Sequence, residues 1–389
     1  MKEGWVIKSL GDVCDILDSK RKPITKRNRI PGDIPYYGAT GVLSYVKDYL
    51  FDEQLVLLGE DGAKWESGDN SAFIINGKTW VNNHAHVLRP KRDILDDYWI
   101  VYNLNFQNLM PFISGMTVPK LNQGNMRKIQ IPIPPLPEQK QIVAILDKAF
   151  AAIDQAQANI EKNIENAKEL FQSKLNEIFS QKGDGWEVKT LGEIGTLTSS
   201  KRIFKKEYVK EGVPFYRSKE IKELGNRKEI SLELFISEER YEEIKEKFGI
   251  PKQGDVLLTA VGTIGEMYVV QKDDKFYFKD GNIMWLKDFE ALNSYYLKYA
   301  LSNYVEQLNS MSKGSAYSAL TISTLKKYSI PVPSESKQIE IVNSLDELKR
   351  NTIDVETQYQ QKLDNLEDLK KSILQKAFSG ELTQKLVTV

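Results

Sequence analysis

The chain is poor in the two side chains that most often build metal centres and nucleophilic sites. Its 389 residues include one cysteine, Cys14, and two histidines, His84 and His86. A single cysteine excludes an intramolecular disulfide and favours a reducing, cytoplasmic setting. The histidines lie two residues apart, which on a strand puts both rings on one face. Because a metal site needs three or four ligands, we expect no metal in this chain.

Charge of one sign and long apolar runs are also lacking. The net charge is zero, with 54 basic and 54 acidic residues, so a surface that binds nucleic acid has to be a local patch. No run has membrane-spanning length, and no signal peptide is recognisable. Apolar residues make up 41% and charged residues 28%, which is ordinary for a globular protein. The length predicts two or three domains.

Motifs of an enzyme are scarce. GEDGAK at Gly59 lacks the spacing of a phosphate-binding loop, and we interpret it as a turn that ends a strand. GTIGEM at Gly262 is too short for a dinucleotide-binding fingerprint. One cysteine and two histidines leave few nucleophile–base pairs. We expect no catalysis by this chain, and a carboxylate or lysine site without a known motif stays an open alternative.

What the chain has instead is an internal repeat. EGWVIKSLGDV begins at Glu3 and DGWEVKTLGEI at Asp184, an offset of 181 residues. GMTVPKLNQGNMRKIQIPIPP begins at Gly115 and GSAYSALTISTLKKYSIPVPS at Gly314, an offset of 199. The second offset persists through the segments that follow, so the second copy is longer between these two blocks. A repeat of this length predicts two copies of one domain.

Each copy has a mixed globular part followed by a long helix. Short apolar runs such as AFIIN, DVLLTAV and MYVVQ predict strands, and DDYWIVYNLNFQNLM and SYYLKYALSNYVEQL predict helices. Prolines in IPIPPLP and IPVPS end each globular part. Apolar residues then recur at steps of three and four, which is the seam of a coiled coil. The predicted boundaries are 1–135 and 183–334 for the globular domains, 136–182 and 335–380 for the helices, and 381–389 for a tail.

Two helices of this kind favour pairing with each other. A helix of about 45 residues is about 68 Å long at 1.5 Å per residue, longer than the domain before it. The first helix carries the chain from one domain to the next, so we expect antiparallel packing with the globular domains at opposite ends. The expected fold class is α+β, with two pseudo-symmetric globular α/β domains separated by two long antiparallel coiled-coil helices. The openings are expected to pack near helix ends through Trp5, Leu10, Trp186 and Leu191.

The repeated segments resemble the specificity (S) subunit of type I restriction–modification systems. The residues that carry the resemblance are Gly4-Trp5, Lys8 and Leu10-Gly11 with the copy at Gly185, IPIPPLPEQKQIVAILD at Ile131, and ILQKAFSGEL at Ile373. YYGATGV at Tyr36 and WVNNHAHVLRP at Trp80 also resemble one variety of target recognition domain. The second copy has PVPSESKQ where the family pattern has PLPEQ, so the start of its helix is expected to be less sharply defined.

The resemblance implies that each globular domain is a target recognition domain that reads one half of a bipartite site in double-stranded DNA. It implies helices that set the spacing and dock two methyltransferase (M) subunits, which carry S-adenosylmethionine, and to which restriction (R) subunits can be added. This chain itself is expected to be non-catalytic and to hold no cofactor. Two alternatives stay open: a related bipartite-site methyltransferase or nuclease without a type I restriction subunit, and a non-catalytic coiled-coil scaffold.

Two basic loops at equivalent positions of the copies predict contacts with DNA phosphates. Such contacts orient a protein on the duplex without reading its sequence. A solvated charged loop is the alternative interpretation. The candidates are Lys20, Arg21, Lys22, Lys26, Arg27 and Arg29 in the first copy, and Lys201, Arg202, Lys205 and Lys206 in the second.

Base reading requires forked donors and acceptors, for which Asn and Gln suit adenine and Arg and Lys suit guanine. The candidates in the first domain are Lys64, Asn82, Asn83, His84, His86, Asn122, Gln123 and Asn125. Those in the second domain are Arg217, Lys219, Lys279, Asn282, Lys313 and Ser315. The loops at Gly115 and Gly314 have the freedom to approach a DNA backbone closely. An ordinary polar surface or turn role is the alternative for each residue.

Overall fold

The structure is a computed structural model that describes residues 2–115, 117–180, 183, 185–261, 263–311 and 320–383. The chain forms two compact units, the first made of Met1–Glu161 with Tyr359–Val389 and the second of Lys162–Gln358. Each unit holds one globular domain and parts of both long helices. In the described part of the chain, no helix is long and apolar enough to cross a membrane.

The first globular domain is a mixed α/β structure. Its strands are β1 (Val6–Ser9), β2 (Cys14–Ile16), β3 (Ile34–Gly38), β4 (Gly41–Val46), β5 (Phe51–Asp52), β6 (Leu55–Gly59), β7 (Ala72–Ile75), β8 (Lys78–Val81), β9 (Ala85–Pro90) and β10 (Gln130–Ile133). Its helices are α1 (Leu10–Val13), α2 (Asp97–Phe106) and α3 (Gln123–Met126), and the long α4 (Leu136–Ser180) follows the domain.

The second globular domain repeats this organisation with additional helices. Its strands are β11 (Glu187–Thr190), β12 (Thr196–Thr198), β13 (Tyr208–Val209), β14 (Val213–Tyr216), β15 (Phe235–Ile236), β16 (Val256–Thr259), β17 (Met267–Val269), β18 (Tyr277–Phe278), β19 (Ile283–Lys287) and β20 (Ser329–Val332). Its helices are α5 (Leu191–Ile194), α6 (Ser218–Gly225), α7 (Glu238–Lys247), α8 (Ser294–Met311) and α9 (Ile322–Lys326), followed by the long α10 (Glu335–Ser379).

Two four-stranded sheets and one two-stranded ribbon form each domain. The sheet orders are β2-β9-β6-β7 and β4-β3-β8-β5 in the first domain, and β12-β19-β16-β17 and β13-β15-β14-β18 in the second. The first sheet of each domain is antiparallel, whereas the second contains one parallel pair, β3 with β8 and β14 with β18. The ribbons join β1 to β10 and β11 to β20. The predicted α+β fold with two related domains is confirmed.

The central strand β6 is buried along its whole length because it separates two cores. Val56 and Leu58 pack in one core with Trp99 of α2, whereas Leu55 and Leu57 pack in another core against the second sheet. Successive side chains of a strand point to opposite faces, so one apolar run serves both layers. Strand β16 divides its side chains between two cores in the same way. This arrangement explains why LVLLG and DVLLTAV are continuous apolar runs.

The two openings pair with the two proline-rich ends in the same register. Val6 lies opposite Ile133, and Glu187 lies opposite Val332. These pairs are related by the two sequence offsets, 181 for the openings and 199 for the proline-rich ends. The extra residues of the second copy therefore leave its ribbon unchanged.

The openings pack near the ends of long helices, as expected. Trp5 is 4% exposed, and its indole Nε1 donates to Glu138 near the start of α4 at 3.2 Å. Leu10 and Leu191 are fully buried. Trp186 is half-buried in a core that includes the last turns of α4. The duplicated opening is therefore a duplicated junction between a domain and a helix.

Within the first unit, α4 and the end of α10 run antiparallel. Near the start of α4, Glu138 accepts a hydrogen bond from Thr383, beyond the end of α10. Farther along α4, Asp154 pairs with Lys370 at 3.8 Å. Later residues of α4 therefore contact earlier residues of α10, which is the contact order of antiparallel helices.

Within the second unit the direction is the same. Lys168 of α4 pairs with Glu356 of α10 at 4.0 Å. Farther along α4, Leu175 and Ile178 share a core with Leu345 and other residues from the first turns of α10. The predicted antiparallel pairing of the helices is confirmed in each unit.

A buried glutamine holds the start of each long helix. Gln139 accepts from the backbone amide of Asp96 and donates to two backbone carbonyls, with all three distances at 2.8 Å. Gln338 makes the equivalent three bonds at 2.8 to 2.9 Å. The two helices begin at equivalent residues, Leu136 and Glu335. The weaker helix start expected from PVPSESKQ is therefore wrong, because this glutamine lies at the same place in both copies.

Candidate nucleic-acid interface

Three separate segments of the first domain converge on Asp18. Arg21 of the basic loop lies 3.4 Å from its carboxylate, His86 of β9 lies 2.6 Å away, and Gln123 of α3 donates to it at 3.0 Å. Neighbouring strands explain the convergence, because β9 lies between β2 and β6. The loop after β2 and the end of β6 therefore meet beside His86. Predicted site residues that are far apart in the sequence therefore surround the carboxylate of Asp18.

Glu60 is the second carboxylate of this cluster and is 7% exposed. Arg21 donates to it at 2.5 Å, and the ammonium of Lys120 lies 2.8 Å from it. Asp61, the next residue, contacts His84 and lies 3.7 Å from Lys120. The two acids follow β6 directly, so the interpretation of GEDGAK as a strand-ending turn is confirmed.

Sequence reasoning did not identify the acidic partners or Lys120 as parts of this site. The detectable signal was a pair of acids placed directly after a wholly apolar strand. Buried carboxylates need cationic partners, and this requirement would have linked GEDGAK to the basic loop. The residues missed are Asp18, Glu60, Asp61 and Lys120.

Both ring nitrogens of His86 face oxygen acceptors. Nδ1 lies 2.6 Å from Asp18, and Nε2 lies 2.7 Å from the carbonyl of Leu121. Both nitrogens of the buried ring are thus engaged by oxygen atoms. Ligand atoms of Asp18, Glu60 and His86 lie within 4.8 Å of one another, a spacing compatible with a metal ion. Both ring nitrogens already have oxygen partners, and Arg21 and Lys120 engage Glu60, so we interpret the cluster as a network of ion pairs and hydrogen bonds.

The network determines the ionisation of Asp18. Burial alone would raise the pKa of this carboxyl, but the hydrogen bond and charge of His86, with bonds from Gln123 and the Val87 amide, hold the pKa below its ordinary value. The folded domain therefore keeps Asp18 ionised down to acidic pH.

Several predicted DNA-binding residues of the first domain serve internal structure instead. His86 is fully buried and Asn82 is 3% exposed, with its side chain accepting from the His84 amide. Asn122 accepts from the Asn125 amide at the start of α3, and Asn125 donates to a backbone carbonyl. Direct contact with a base is therefore disfavoured for His86 and Asn82, and we correct those two assignments on grounds of burial.

The basic loop of the first domain is held so that most of its cations point outward. Arg29 lies over the ring of Tyr36 at 4.2 Å and donates to Ser44. Trp80 donates to the carbonyl of Lys22 at 2.6 Å. Among the described residues, no carboxylate lies within 4 Å of the cationic groups of Lys20, Lys22, Lys26 or Arg27, which are all exposed. Lys64, Asn83 and His84 are also exposed.

The second domain presents a shorter basic loop. The amide of Lys201 donates to the hydroxyl of Tyr277 at 2.7 Å, as the Ile24 amide does to Tyr36 at 3.0 Å. Arg202 pairs with Asp280 at 2.8 Å. Within the described ranges, the exposed cations of this loop that have no carboxylate within 4 Å are Lys201, Lys205 and Lys206.

The remaining candidates of the second domain divide into neutralised and open side chains. Arg217 pairs with Glu220 and Glu233 at 2.7 and 2.8 Å, and Lys219 pairs with Glu233 at 2.9 Å. The hydrogen bond to Glu220 is the main reason why the pKa of Arg217 is raised. Lys279 is exposed and Asn282 is half-buried. Lys313, Ser315 and the predicted loop at Gly314 lie outside the described residues, as does Met116 of the equivalent loop.

Comparison with protein-family profiles identifies the family to which this repeated chain belongs. The profile of the type I restriction modification DNA specificity domain matches residues 2–166 and matches again at residues 183–365. The chain belongs to this family. Its two globular domains are the target recognition domains of a type I specificity subunit.

Curated specificity subunits align with most of the chain. A putative type I restriction enzyme specificity subunit of Haemophilus influenzae, S.HindORF215P, is 32% identical over 353 residues, which cover 89% of this chain and 88% of that protein. The MjaVIII specificity subunit of Methanocaldococcus jannaschii is 24% identical over 417 residues, covering 98% and 94%. The EcoKI specificity subunit of Escherichia coli is 23% identical over 435 residues, covering 98% and 90%.

Solved structures of type I systems share the fold. A chain described in a study of complex assembly and conformational transition of the type I R-M system has a TM-score of 0.74 at 19% identity, covering 98% of this chain and 99% of that one. The HsdS subunit of Thermoanaerobacter tengcongensis has a TM-score of 0.62 at 18% identity, with 98% of each chain covered. The specificity-subunit fold is thus retained although few residues are identical.

Proposed function

We propose that the chain is the non-catalytic DNA-recognition subunit of a type I restriction–modification complex. Each target recognition domain reads one half of a bipartite site in double-stranded DNA. The observation that carries this proposal is the pair of basic loops, which occupy equivalent places in the repeated domains and whose exposed cations have no carboxylate partner among the residues the structure describes. Unpaired cations of this kind are what phosphate binding requires.

Polar side chains beside the loops supply the groups that read bases. In the first domain Asn83, His84 and Lys64 are exposed, and Gln123 reaches the same cluster from α3. In the second domain Lys279 is exposed and has no carboxylate within 4 Å among the described residues. Amide groups pair with adenine and ammonium groups with guanine in the major groove. Different residue sets in the two domains then give different half-sites.

The long helices act as spacer and as docking surface for two methyltransferase subunits. Leu170, Ile339, Ile353 and Leu369 are between 45% and 61% exposed on them. Large apolar side chains at such positions suit burial by a partner protein. S-adenosylmethionine binds to the methyltransferase subunits, and a restriction subunit joins the complex through them. A related complex without a restriction subunit uses the same surfaces.

Selection of bound duplexes from a random pool, with the methyltransferase subunits present, tests the proposal. We expect a consensus of two short half-sites separated by a fixed non-specific gap. A pool without sequence preference would support the coiled-coil scaffold instead. Methyl transfer to DNA by the purified chain alone, without methyltransferase subunits, would contradict a non-catalytic role.

Neutralising one loop at a time tests which residues contact phosphates. Each phosphate contact contributes about 0.9 to the slope of log K against log salt concentration. Lys22→Ala/Lys26→Ala/Arg27→Ala is expected to lower the slope by about 2.7, and Lys205→Ala/Lys206→Ala by about 1.8. Arg217→Ala, whose guanidinium is already paired with acids, serves as the control and is expected to leave the slope unchanged. Unchanged slopes in both loop variants would refute phosphate contact.

The spacer role makes a geometric prediction. One matched turn added to both helices increases their length by about 5.4 Å, which is one to two steps of the duplex at about 3.4 Å each. We expect the selected gap between the half-sites to lengthen accordingly. A constant gap would mean that the helices do not determine the spacing.

A further inference from the structure

The second unit contains a wide cleft lined by cationic side chains that belong to neither basic loop. The cleft has a volume of about 980 Å³ and lies between α8, α10 and the turn that follows α6. Its lining contains four basic residues, Arg227, Lys298, Lys349 and Arg350, and two acidic residues, Asp346 and Glu347. The lining therefore has an excess of two positive charges.

Lys298 of α8 is half-buried in this cleft and has few acceptors. An ammonium group has three donors, and in the described part of the chain its one hydrogen bond goes to the carbonyl of Gly225 at 3.4 Å. Burial, followed by the charges of Lys349 and Arg227, lowers the pKa of Lys298 to about 8. An anion placed beside this ammonium would supply the missing acceptors and offset the like charges.

Two acids near the cleft, Asp346 and Glu266, already have partners from this chain. Asp346 accepts the hydroxyl of Tyr299 at 2.5 Å. Glu266 lies 3.4 Å from the ammonium of Lys222 and accepts from Asn226. Among the described residues, no carboxylate comes within 4 Å of Arg227, Lys298 or Lys349. In the described part of the chain, Arg227, Lys298 and Lys349 therefore have no carboxylate partner.

The backbone at Arg227 also points to a role in the cleft. Its φ is +57°, in the left-handed region that a glycine adopts without strain. A residue with a Cβ atom raises the free energy of this turn, because the Cβ crowds the backbone in this conformation. The turn nevertheless carries an arginine whose side chain lines the cleft.

The equivalent place in the first unit is apolar. The two units share a tyrosine–aspartate hydrogen bond, Tyr102 with Asp147 and Tyr299 with Asp346, which aligns α2 with α8 and α4 with α10. Counting from these pairs, Lys298, Lys349 and Arg350 correspond to Val101, Phe150 and Ala151. Val101 and Phe150 belong to the core of the first unit. The shared scaffold therefore does not require the cations of the second unit.

We propose that this cleft binds a phosphate group of a nucleotide, either free or within DNA. A phosphate monoester has a charge of about −1.5 to −2 at neutral pH, which matches the excess positive charge of the lining. Arginine and lysine are the side chains that bind phosphate most effectively. The volume lies in the range of small-molecule sites, and the exposed ring of Tyr295 offers a face to a base. This inference does not depend on how the half-sites are read.

Two measurements on the full-length chain test the proposal. The first is binding of sodium pyrophosphate, measured by titration calorimetry. The second is binding of a DNA duplex at several salt concentrations. The informative variant is Lys298→Val/Lys349→Phe, which introduces the residue types of the first unit. Lys210→Val, an exposed lysine outside the cleft, is the matched control. Thermal unfolding shows that the variants are folded, and loss of the half-buried charge is expected not to lower their stability.

Two outcomes support the proposal and distinguish the sources of phosphate. If the ligand is a free nucleotide, pyrophosphate binds the wild-type chain, and the double variant binds it at least about tenfold more weakly. If the phosphate belongs to DNA, the salt slope for duplex binding falls by about 0.9 for each cation–phosphate pair that the double variant removes. Equal pyrophosphate binding and equal salt slopes in wild type and double variant overturn it. The same equality with weaker binding of a methyltransferase subunit also overturns it and assigns the cleft to a protein partner.

Discussion

The two target recognition domains place different chemistry at the same position of the same sheet. In the first domain Glu60 and His86 belong to a buried network of charges, whereas the strand register gives them Ala260 and Met284 as counterparts. Both counterparts are buried apolar residues. One backbone arrangement thus accommodates either a charged cluster or apolar packing, as expected if buried ion pairs contribute little net stability. The network is therefore better explained by its positioning of the basic loop than by a contribution to the stability of the domain.

What it positions is the basic loop. The side chain of Arg21 is 12% exposed and points inward to Asp18 and Glu60, whereas that of Arg202 is 66% exposed and pairs with Asp280. Asp18 has Ser199 as its counterpart at the offset of 181. Within the described part of the second domain, no buried carboxylate pairs with Arg202, so this arginine stays at the surface. Two loops with the same Ser-Lys-Arg sequence therefore present different side chains to the solvent.

Removing Glu60 is expected to have the largest effect on this comparison. Glu60→Ala removes the closer of the two carboxylates that pair with the half-buried Arg21 guanidinium, which costs about 3–5 kcal/mol of unfolding free energy. Hydrogen exchange of the full-length chain localises the effect, because the amides of β6 and β9 should lose protection while those of β16 and β19 keep it.

A variant that imports the second domain's residues provides the control. Asp18→Ser/Glu60→Ala/His86→Met removes both carboxylates and the histidine ring together and frees Arg21 to reach solvent, as Arg202 does. We expect it to be more stable than Glu60→Ala alone, because no unpaired charge stays buried. A triple variant less stable than the single one would show that the two domains are not interchangeable at this position.

The two helix-start glutamines should give smaller effects that are equal in the two units. Gln139→Ala and Gln338→Ala each leave a buried backbone amide and two carbonyls without a partner. We expect each to cost about 1–3 kcal/mol, measured as loss of exchange protection at the start of the affected helix. A clear inequality between the two would mean that the junctions are not energetically equivalent.

Lowering the pH should change the stability of the two domains in opposite directions, through Asp18 in the first domain and Asp255 in the second. The pKa of Asp18 lies below its ordinary value, so its contribution to stability is present above about pH 4 and is lost as the pH falls through the folded pKa. Burial raises the pKa of Asp255 in the second domain, so its contribution is present below about pH 4 and is lost as the pH rises through the folded pKa.

Domain-resolved hydrogen exchange between pH 6 and pH 3 measures this difference. Asp18→Asn is expected to flatten the acid response of the first domain, and Asp255→Asn that of the second. Acid responses that these substitutions leave unaltered would assign the pH dependence to other groups.

The exposed pair of the second domain should matter least. Arg202 and Asp280 form an ion pair whose arginine is 66% exposed, and such pairs contribute about 0–1 kcal/mol. We expect Arg202→Ala to change the unfolding free energy by less than about 1 kcal/mol. A cost near that of Glu60→Ala would remove the distinction drawn between the two loops.

The repeated architecture could be predicted from the sequence because it depends on patterns of neighbouring residues. Glycine, proline and apolar spacing determine turns, strand ends and helix seams within a few residues, so β6, β16, α2, α8 and both long helices were predictable. The two offsets indicated the repeat, whereas the pairing of β1 with β10 and of β11 with β20 was seen only in the structure. The coiled-coil seams also implied that the helices would pair, because an apolar stripe of that length has to be buried.

The content of the candidate site depended on contacts that the sequence does not display. Asp18, Glu60 and Gln123 meet because β9 lies between β2 and β6, an order that no local pattern encodes. The sequence predicted an accessible His86, and only its place in that sheet shows that the ring is buried between Asp18 and the Leu121 carbonyl. The cations of the cleft in the second unit likewise formed no recognisable sequence motif, because they come together only where α8 packs near α10.

The sequence by itself therefore determined the repeated architecture, the paired helices and the family. The tertiary structure alone decided which charges are paired, which are buried and which face solvent. The physical reason is that secondary structure follows from short-range periodicity, whereas the state of a charge depends on burial and on partners that the fold brings from distant segments.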